Sequence, residues 1–104
     1  MISQKTINDI VSKIARFNRP EKIFLFGSYA RGEMDENSDL DLLIVEETDL
    51  PAHKRATEIR KQLIHSKIPI DIIVYTPEEI EERKNVQSTL VNEVIRNGKL
   101  VYAR

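Results

Sequence analysis

Three aspartates stand where apolar strands should run uninterrupted. Leu40–Val45 and Ile68–Tyr75 are rich in leucine, isoleucine and valine, the pattern of strands buried on both faces. Asp39 and Asp41 nevertheless sit at the mouth of the first run, and Asp71 within the second. An ionised carboxylate without a partner in such a setting costs several kcal/mol, so something must compensate it. Asp39 and Asp41 are two residues apart and in a strand point to the same face, to which a neighbouring strand can bring Asp71. Three clustered carboxylates repel one another unless a cation lies between them. The chain has no cysteine and only two histidines, His53 and His65, both outside these runs. An all-oxygen donor set of Asp39, Asp41 and Asp71 favours a hard cation such as magnesium or manganese over zinc.

A second feature lies upstream. Lys22–Phe26 is a short apolar run that ends at Gly27 and reads as a buried strand, and Ser28 is placed to cap a short helix that ends at Gly32. A strand, a glycine, a serine and a helix start together offer free backbone N–H groups, a positive dipole end and a hydroxyl to an anion. Gly27 allows a phosphate to approach the backbone closely. Metal-binding carboxylates beside a phosphate cradle imply phosphoryl or nucleotidyl transfer.

The remaining elements follow from periodicity. Ile7, Ile10, Val11, Ile14 and Phe17 predict an amphipathic helix over residues 2–17, stopped by Asn18, Arg19 and Pro20. Pro51 opens a helix with Ala52, Ala56, Ile59 and Leu63 inward and Lys54, Arg55, Arg60 and Lys61 on exposed faces. Thr76, Pro77 and Glu79 form a capped helix start. The stripe Val86, Leu90, Val91, Val94 and Ile95 continues after a break near Asn85, until Asn97 and Gly98 close it. Leu100–Tyr102 supplies a final edge strand. The order predicts an α/β (α+β) fold, a small mixed β-sheet flanked by helices.

At 104 residues the chain is long enough for one core, and residues 1–104 are read as a single domain. Sixteen basic against 17 acidic residues leave no electrostatic footprint for broad nucleic-acid binding, so any anion site is local. No run of about 18 apolar residues exists to span a membrane, and the opening residues lack the profile of a secretory leader. A cytoplasmic setting is expected, consistent with the absence of cysteine. His53, His65, Asp35, Glu36, Asp49 and the glutamates from Glu78 to Glu82 read as surface charge without chemistry.

The stretch Leu25-Phe26-Gly27-Ser28-Tyr29-Ala30-Arg31-Gly32, followed by Ser38-Asp39-Leu40-Asp41-Leu42-Leu43-Ile44, resembles the signature of the DNA polymerase beta-like nucleotidyltransferase superfamily. The short length and the closing Gly98-Lys99-Leu100-Val101-Tyr102 are similar to the minimal nucleotidyltransferases, the MntA-type antitoxins paired with HEPN-domain toxins. The resemblance implies the palm fold of that superfamily, with ATP as substrate. By it Gly27 and Ser28 hold the triphosphate, Asp39 and Asp41 ligate two magnesium ions, and Asp71 is the third carboxylate, orienting the attacking hydroxyl and serving as its general base. Arg31 is placed either to screen phosphate charge or to serve as a structural surface arginine. The implied acceptor is a tyrosine hydroxyl on a HEPN toxin that receives AMP, and a separate acceptor-bearing partner is expected because the chain has no room for the helical domain of larger relatives. Two other readings stay open: a non-catalytic module that masks its partner, and a nucleotidyltransferase subunit acting on a small molecule. Self-association is compatible with either.

Overall fold

The first helix starts where a serine can cap it. In the computed structural model, which describes residues 2–104, the Thr6 N–H donates to the side chain of Ser3 at the head of α1 (Gln4–Asn18), satisfying one of the donors that a helix start leaves free. Ile7, Ile10, Val11 and Ile14 form its buried face. Phe17 does not join them: it is 60% exposed, with the Arg16 guanidinium 5.4 Å from its ring centre. The helix ends at Arg19 in a left-handed conformation (φ 50°), whose N–H returns to the Ala15 carbonyl.

The chain then runs through β1 (Lys22–Phe26), α2 (Ser28–Arg31) and β2 (Leu40–Val45), and after a crossover enters β3 (Ile70–Tyr75). Two short helices, α4 (Pro77–Arg83) and α5 (Leu90–Asn97), precede the edge strand β4 (Lys99–Ala103). The sheet order is β3-β2-β1-β4, with β1 antiparallel to both β2 and β4, and β2 parallel to β3. A parallel pair needs a long connection, here residues 46–69, which contain a 3-10 turn (Ala52–Lys54) and α3 (Thr57–Gln62). The result is the expected mixed α/β architecture.

Side-chain alternation along β2 divides the core between two faces. Leu40, Leu42 and Ile44 pack with α1 and with Ile59 and Leu63, while Leu43 and Val45 pack with Val94, Ile80 and Leu90 from α4 and α5. Asp41 shares the second face.

The expected helix from Pro51 is broken in two. Ala52 is exposed and has nothing to bury, so the buried Ile59 and Leu63, with the half-buried Ala56, anchor this segment. Nor is its basic face wholly solvated: Arg55, with 10% of its side chain exposed, donates to Glu79 Oε1 at 2.6 Å. Glu79 also completes the capping box of α4, accepting from the Thr76 N–H at 2.8 Å while its own N–H donates to the Thr76 hydroxyl oxygen. Glu79 is thus a structural ion-pair partner rather than surface charge. Val86 falls in the break between α4 and α5 and is exposed, as is Ile95. His53 and His65 are exposed, as expected.

Candidate active site

One transverse row of the sheet gathers the chemistry. Asp41 is directly opposite Phe26 on the antiparallel β1 side and directly opposite Asp71 on the parallel β3 side. The row therefore reads Asp71, Asp41, Phe26 across three strands, at the end of the sheet where β1 gives way to Gly27. Asp39 precedes β2 by one residue and is exposed, as is Asp71, whereas Asp41 is half-buried.

The electrostatics of Asp41 follow from this position. Burial first, then the adjacent Asp71 through its charge and through a hydrogen bond, push the Asp41 carboxyl up to about 6; Asp39 adds to the rise and Arg31 opposes it. Like charges that cannot separate favour sharing a proton, and a hydrogen bond between two carboxyls requires one. The convergence is pairwise: among the described residues no three His, Cys, Asp or Glu side chains close into a ready-made metal-ligating group, and Asp39 acts on Asp41 through charge. Asp39 and Asp71 beside the half-buried Asp41 carboxyl, which resists ionisation, nevertheless offer oxygen donors suited to a hard divalent cation, which would release the shared proton.

Gly27 closes the site from the β1 side. Its φ of 72° lies in the left-handed region, and a Cβ built on it would collide with Oδ2 of Asp41. Only glycine satisfies both the conformation and the space. Its carbonyl accepts from the N–H groups of Ala30 and Arg31 at 3.1 and 3.2 Å, turning the chain at once into α2. The helix cap is Gly27, with no side-chain cap bond, so Ser28 is the first helical residue rather than the cap. That leaves the half-buried Ser28 hydroxyl uncommitted to the helix end. The turn is fastened from behind by the buried Tyr29, whose hydroxyl oxygen accepts from the Ile2 N–H at 2.8 Å. Arg31 is exposed, its Nε donating to Glu33 Oε2 at 3.0 Å, and its charge reaches Asp41.

Gly27, Ser28, Arg31, Asp39, Asp41 and Asp71, all singled out in the sequence, thus lie around one end of the sheet. The sequence reading missed a recess beside them. Phe26, Gly27 and Arg31 form one side, and Leu90, Glu93 and Asn97 of α5 with Gly98 the other, around a volume of about 240 Å³. No local pattern marks it, because α5 reaches β1 only through the folded sheet.

A strand-to-glycine turn set against paired strand carboxylates is an arrangement suited to nucleotide transfer, and the comparisons with known proteins agree with it. The model of the nucleotidyltransferase domain family matches residues 5–97. A Methanocaldococcus jannaschii protein named as a candidate protein adenylyltransferase is 33% identical over 104 residues, covering 98% of this chain and 100% of that protein. Among solved structures, a candidate nucleotidyltransferase from Sulfolobus solfataricus superposes with a TM-score of 0.68 at 23% identity, over 96% of this chain and 79% of that one. A chain from the complex of tri-AMPylated Shewanella oneidensis HEPN toxin with MNT antitoxin gives a TM-score of 0.60 at 19% identity, over 98% of this chain and 74% of that chain. The chain belongs to the nucleotidyltransferase domain family.

Proposed function

We propose that this chain is an MntA-type protein adenylyltransferase that moves AMP from ATP onto a tyrosine hydroxyl of a partner HEPN toxin, silencing it. The observation that carries the reading is the register match of Asp41 with Asp71 immediately beside Gly27. It puts a cation-demanding carboxylate pair next to a backbone turn built for phosphate. Family membership supports nucleotidyl transfer, and the protein adenylyltransferase name of the archaeal relative and the AMPylated toxin of the Shewanella complex support a protein acceptor.

In this reading Asp39, Asp41 and Asp71 hold two magnesium ions, and Gly27 and Ser28 receive the triphosphate, with Arg31 screening its charge. Magnesium held there would neutralise charge on the phosphates and lower the pKa of the attacking hydroxyl. The tyrosine oxygen attacks the α-phosphorus, the bond to the bridging oxygen of diphosphate breaks, and Asp71 takes the hydroxyl proton. The left-handed Gly27 keeps the backbone N–H groups of the turn open to the phosphates instead of covering them with a side chain. Residues 1–104 act as one domain, in the cytoplasm, with the acceptor supplied by the partner. No helix among the described residues is long and apolar enough to cross a membrane.

The test is diphosphate release from magnesium-ATP upon addition of the HEPN protein encoded beside this chain, with its tyrosines replaced one at a time by phenylalanine. Release that depends on both proteins and on one tyrosine supports the reading. Tight association of the two proteins without diphosphate release would instead make this chain a masking module.

A further inference from the structure

The free edge of β3 is covered along most of its length and open beside Asp71. The Pro69 and Tyr75 carbonyls accept from the N–H groups of Leu40 and Glu46. By strand alternation the carbonyls of Ile70, Ile72 and Val74 therefore point away from β2, to the edge of the sheet. Two of these three are covered from the crossover segment: Arg55 Nη1 donates to the Val74 carbonyl at 3.4 Å, and Arg60 Nη2 to the Ile72 carbonyl at 3.5 Å. Charged side chains laid over a strand edge keep other strands off it. Among the described residues no such bond covers the Ile70 carbonyl.

A recess of about 200 Å³ lies against this open end, with Leu63, Ile64, Ile68, Ile70 and Ile72 as its apolar lining. Ile64 is 70% exposed. Arg60 and Lys67 are the charged groups of the recess, no carboxylate lines it, and its one hydroxyl, that of Ser66, is committed to the Leu63 carbonyl at 2.7 Å. The segment 52–67 that carries the recess is basic in a chain of formal net charge −1: Lys54, Arg55, Arg60, Lys61 and Lys67 stand against Glu58 alone. Arg55 pairs with Glu79 and Lys61 with Glu58. Among the described residues Arg60 and Lys67 form no ion pair.

Strand alternation ties this recess to the carboxylate row. Asp71 shares the face of Asp41, to which it hydrogen-bonds, whereas its neighbours Ile70 and Ile72 belong to the opposite face and line the recess. A strand added at this edge obeys the same alternation. Its residue in register with Asp71 stands beside that carboxylate, and the residues before and after it enter the recess. An open carbonyl on a strand edge is matched by a peptide backbone, and the unpaired cations by acidic side chains.

We propose that the acceptor protein docks here as an extended segment. Its hydroxyl residue lies in register with Asp71, an apolar residue on each side enters the recess, and nearby carboxylates pair with Arg60 and Lys67. Arg60 exchanges its long bond to the Ile72 carbonyl for one of these carboxylates, which frees that carbonyl for the incoming backbone. The proposal rests on the protein-adenylyltransferase reading and adds where the acceptor binds and which residues surround its modified hydroxyl.

Titration of the intact chain with the protein encoded beside it, together with steady-state AMP transfer, tests the docking. Arg60, Ile64 and Lys67 are exposed, so Arg60→Glu/Lys67→Glu and Ile64→Asn should fold, with an unchanged melting profile as the control. Each variant is expected to bind the partner about tenfold more weakly than wild type and to show a KM for it raised by a similar factor. Affinity for magnesium-ATP stays within error of wild type. Partner affinity and KM unchanged in both variants overturn the docking surface and leave the transfer reading standing. Affinity for poly(U) RNA that falls in the variants while partner affinity is kept makes the basic face a nucleic-acid surface and likewise overturns it. A wild type that binds the partner through this face and transfers no AMP overturns the transfer reading and the acceptor role of the docked segment, and a wild type that does not bind the partner overturns both proposals.

Discussion

A side chain on Gly27 would occupy the space already held by Oδ2 of Asp41. The Gly27 turn and the carboxylate pair are therefore not neighbours by accident of the fold: the absence of one Cβ allows them to share a surface. Gly27→Ala tests this contact. It adds the strain of a left-handed φ of 72°, on the order of 1–2 kcal/mol, and forces the Asp41 carboxylate out of its place. Thermal unfolding should show a clear fall in Tm, and titration calorimetry should show loss of magnesium-ATP binding. Unchanged binding would mean that Asp41 can leave its place without consequence.

Removing the charge of Asp41 should have the opposite effect on stability. Its carboxyl is raised to about 6 in the fold against 3.8 ordinarily, so ionisation at neutral pH works against folding of the metal-free protein. Asp41→Asn abolishes that opposition. Discounted for partial solvent exposure, the gain is on the order of 1 kcal/mol, roughly 4–8 °C in Tm for a domain of this size. Transfer activity should be lost in the same variant. A melting temperature below that of wild type in the presence of a chelator contradicts the electrostatic account of the site.

Glu79 carries a pH dependence of the other sign. Burial alone would raise its pKa, but the hydrogen bonds from the Thr76 backbone and from Arg55, with the charge of Arg55, outweigh it and leave the net shift downward. A depressed folded-state pKa contributes stability that is present above the ordinary carboxylate range and is lost as pH falls through the folded value. Wild type minus Glu79→Gln, followed by denaturant unfolding, should therefore show a stability difference at pH 7 that shrinks on acidification below about pH 4.5. A difference independent of pH would assign the role of Glu79 to packing alone.

What the sequence could disclose depended on the range of the interaction. Lys22–Phe26 reads correctly to the residue because an unbroken apolar run between a proline-bearing stop and a glycine has few alternatives. Asp39, Asp41 and Asp71 betray themselves by polarity in apolar surroundings, a local signal. Phe17 misleads because helical spacing says which residues share a stripe, and not how far the partner elements extend to cover it. The helix expected from Pro51 fails at Ala52 for the same reason: a methyl group contributes too little burial to hold a turn in place. Arg55 and Glu79 lie 24 positions apart, and the recess at α5 exists only once β1 has been placed between β2 and β4. Neither has a local signature.

The central claim is that this chain attaches AMP to a protein partner through the Asp39, Asp41 and Asp71 site. Intact mass spectrometry of the protein encoded beside this chain, after incubation with this chain, ATP and magnesium, tests it most directly. The account predicts a mass increase of one or more whole AMP units on the partner with wild type, and none with Asp39→Asn/Asp41→Asn. An unmodified partner with wild type, or equal modification with the double variant, contradicts it.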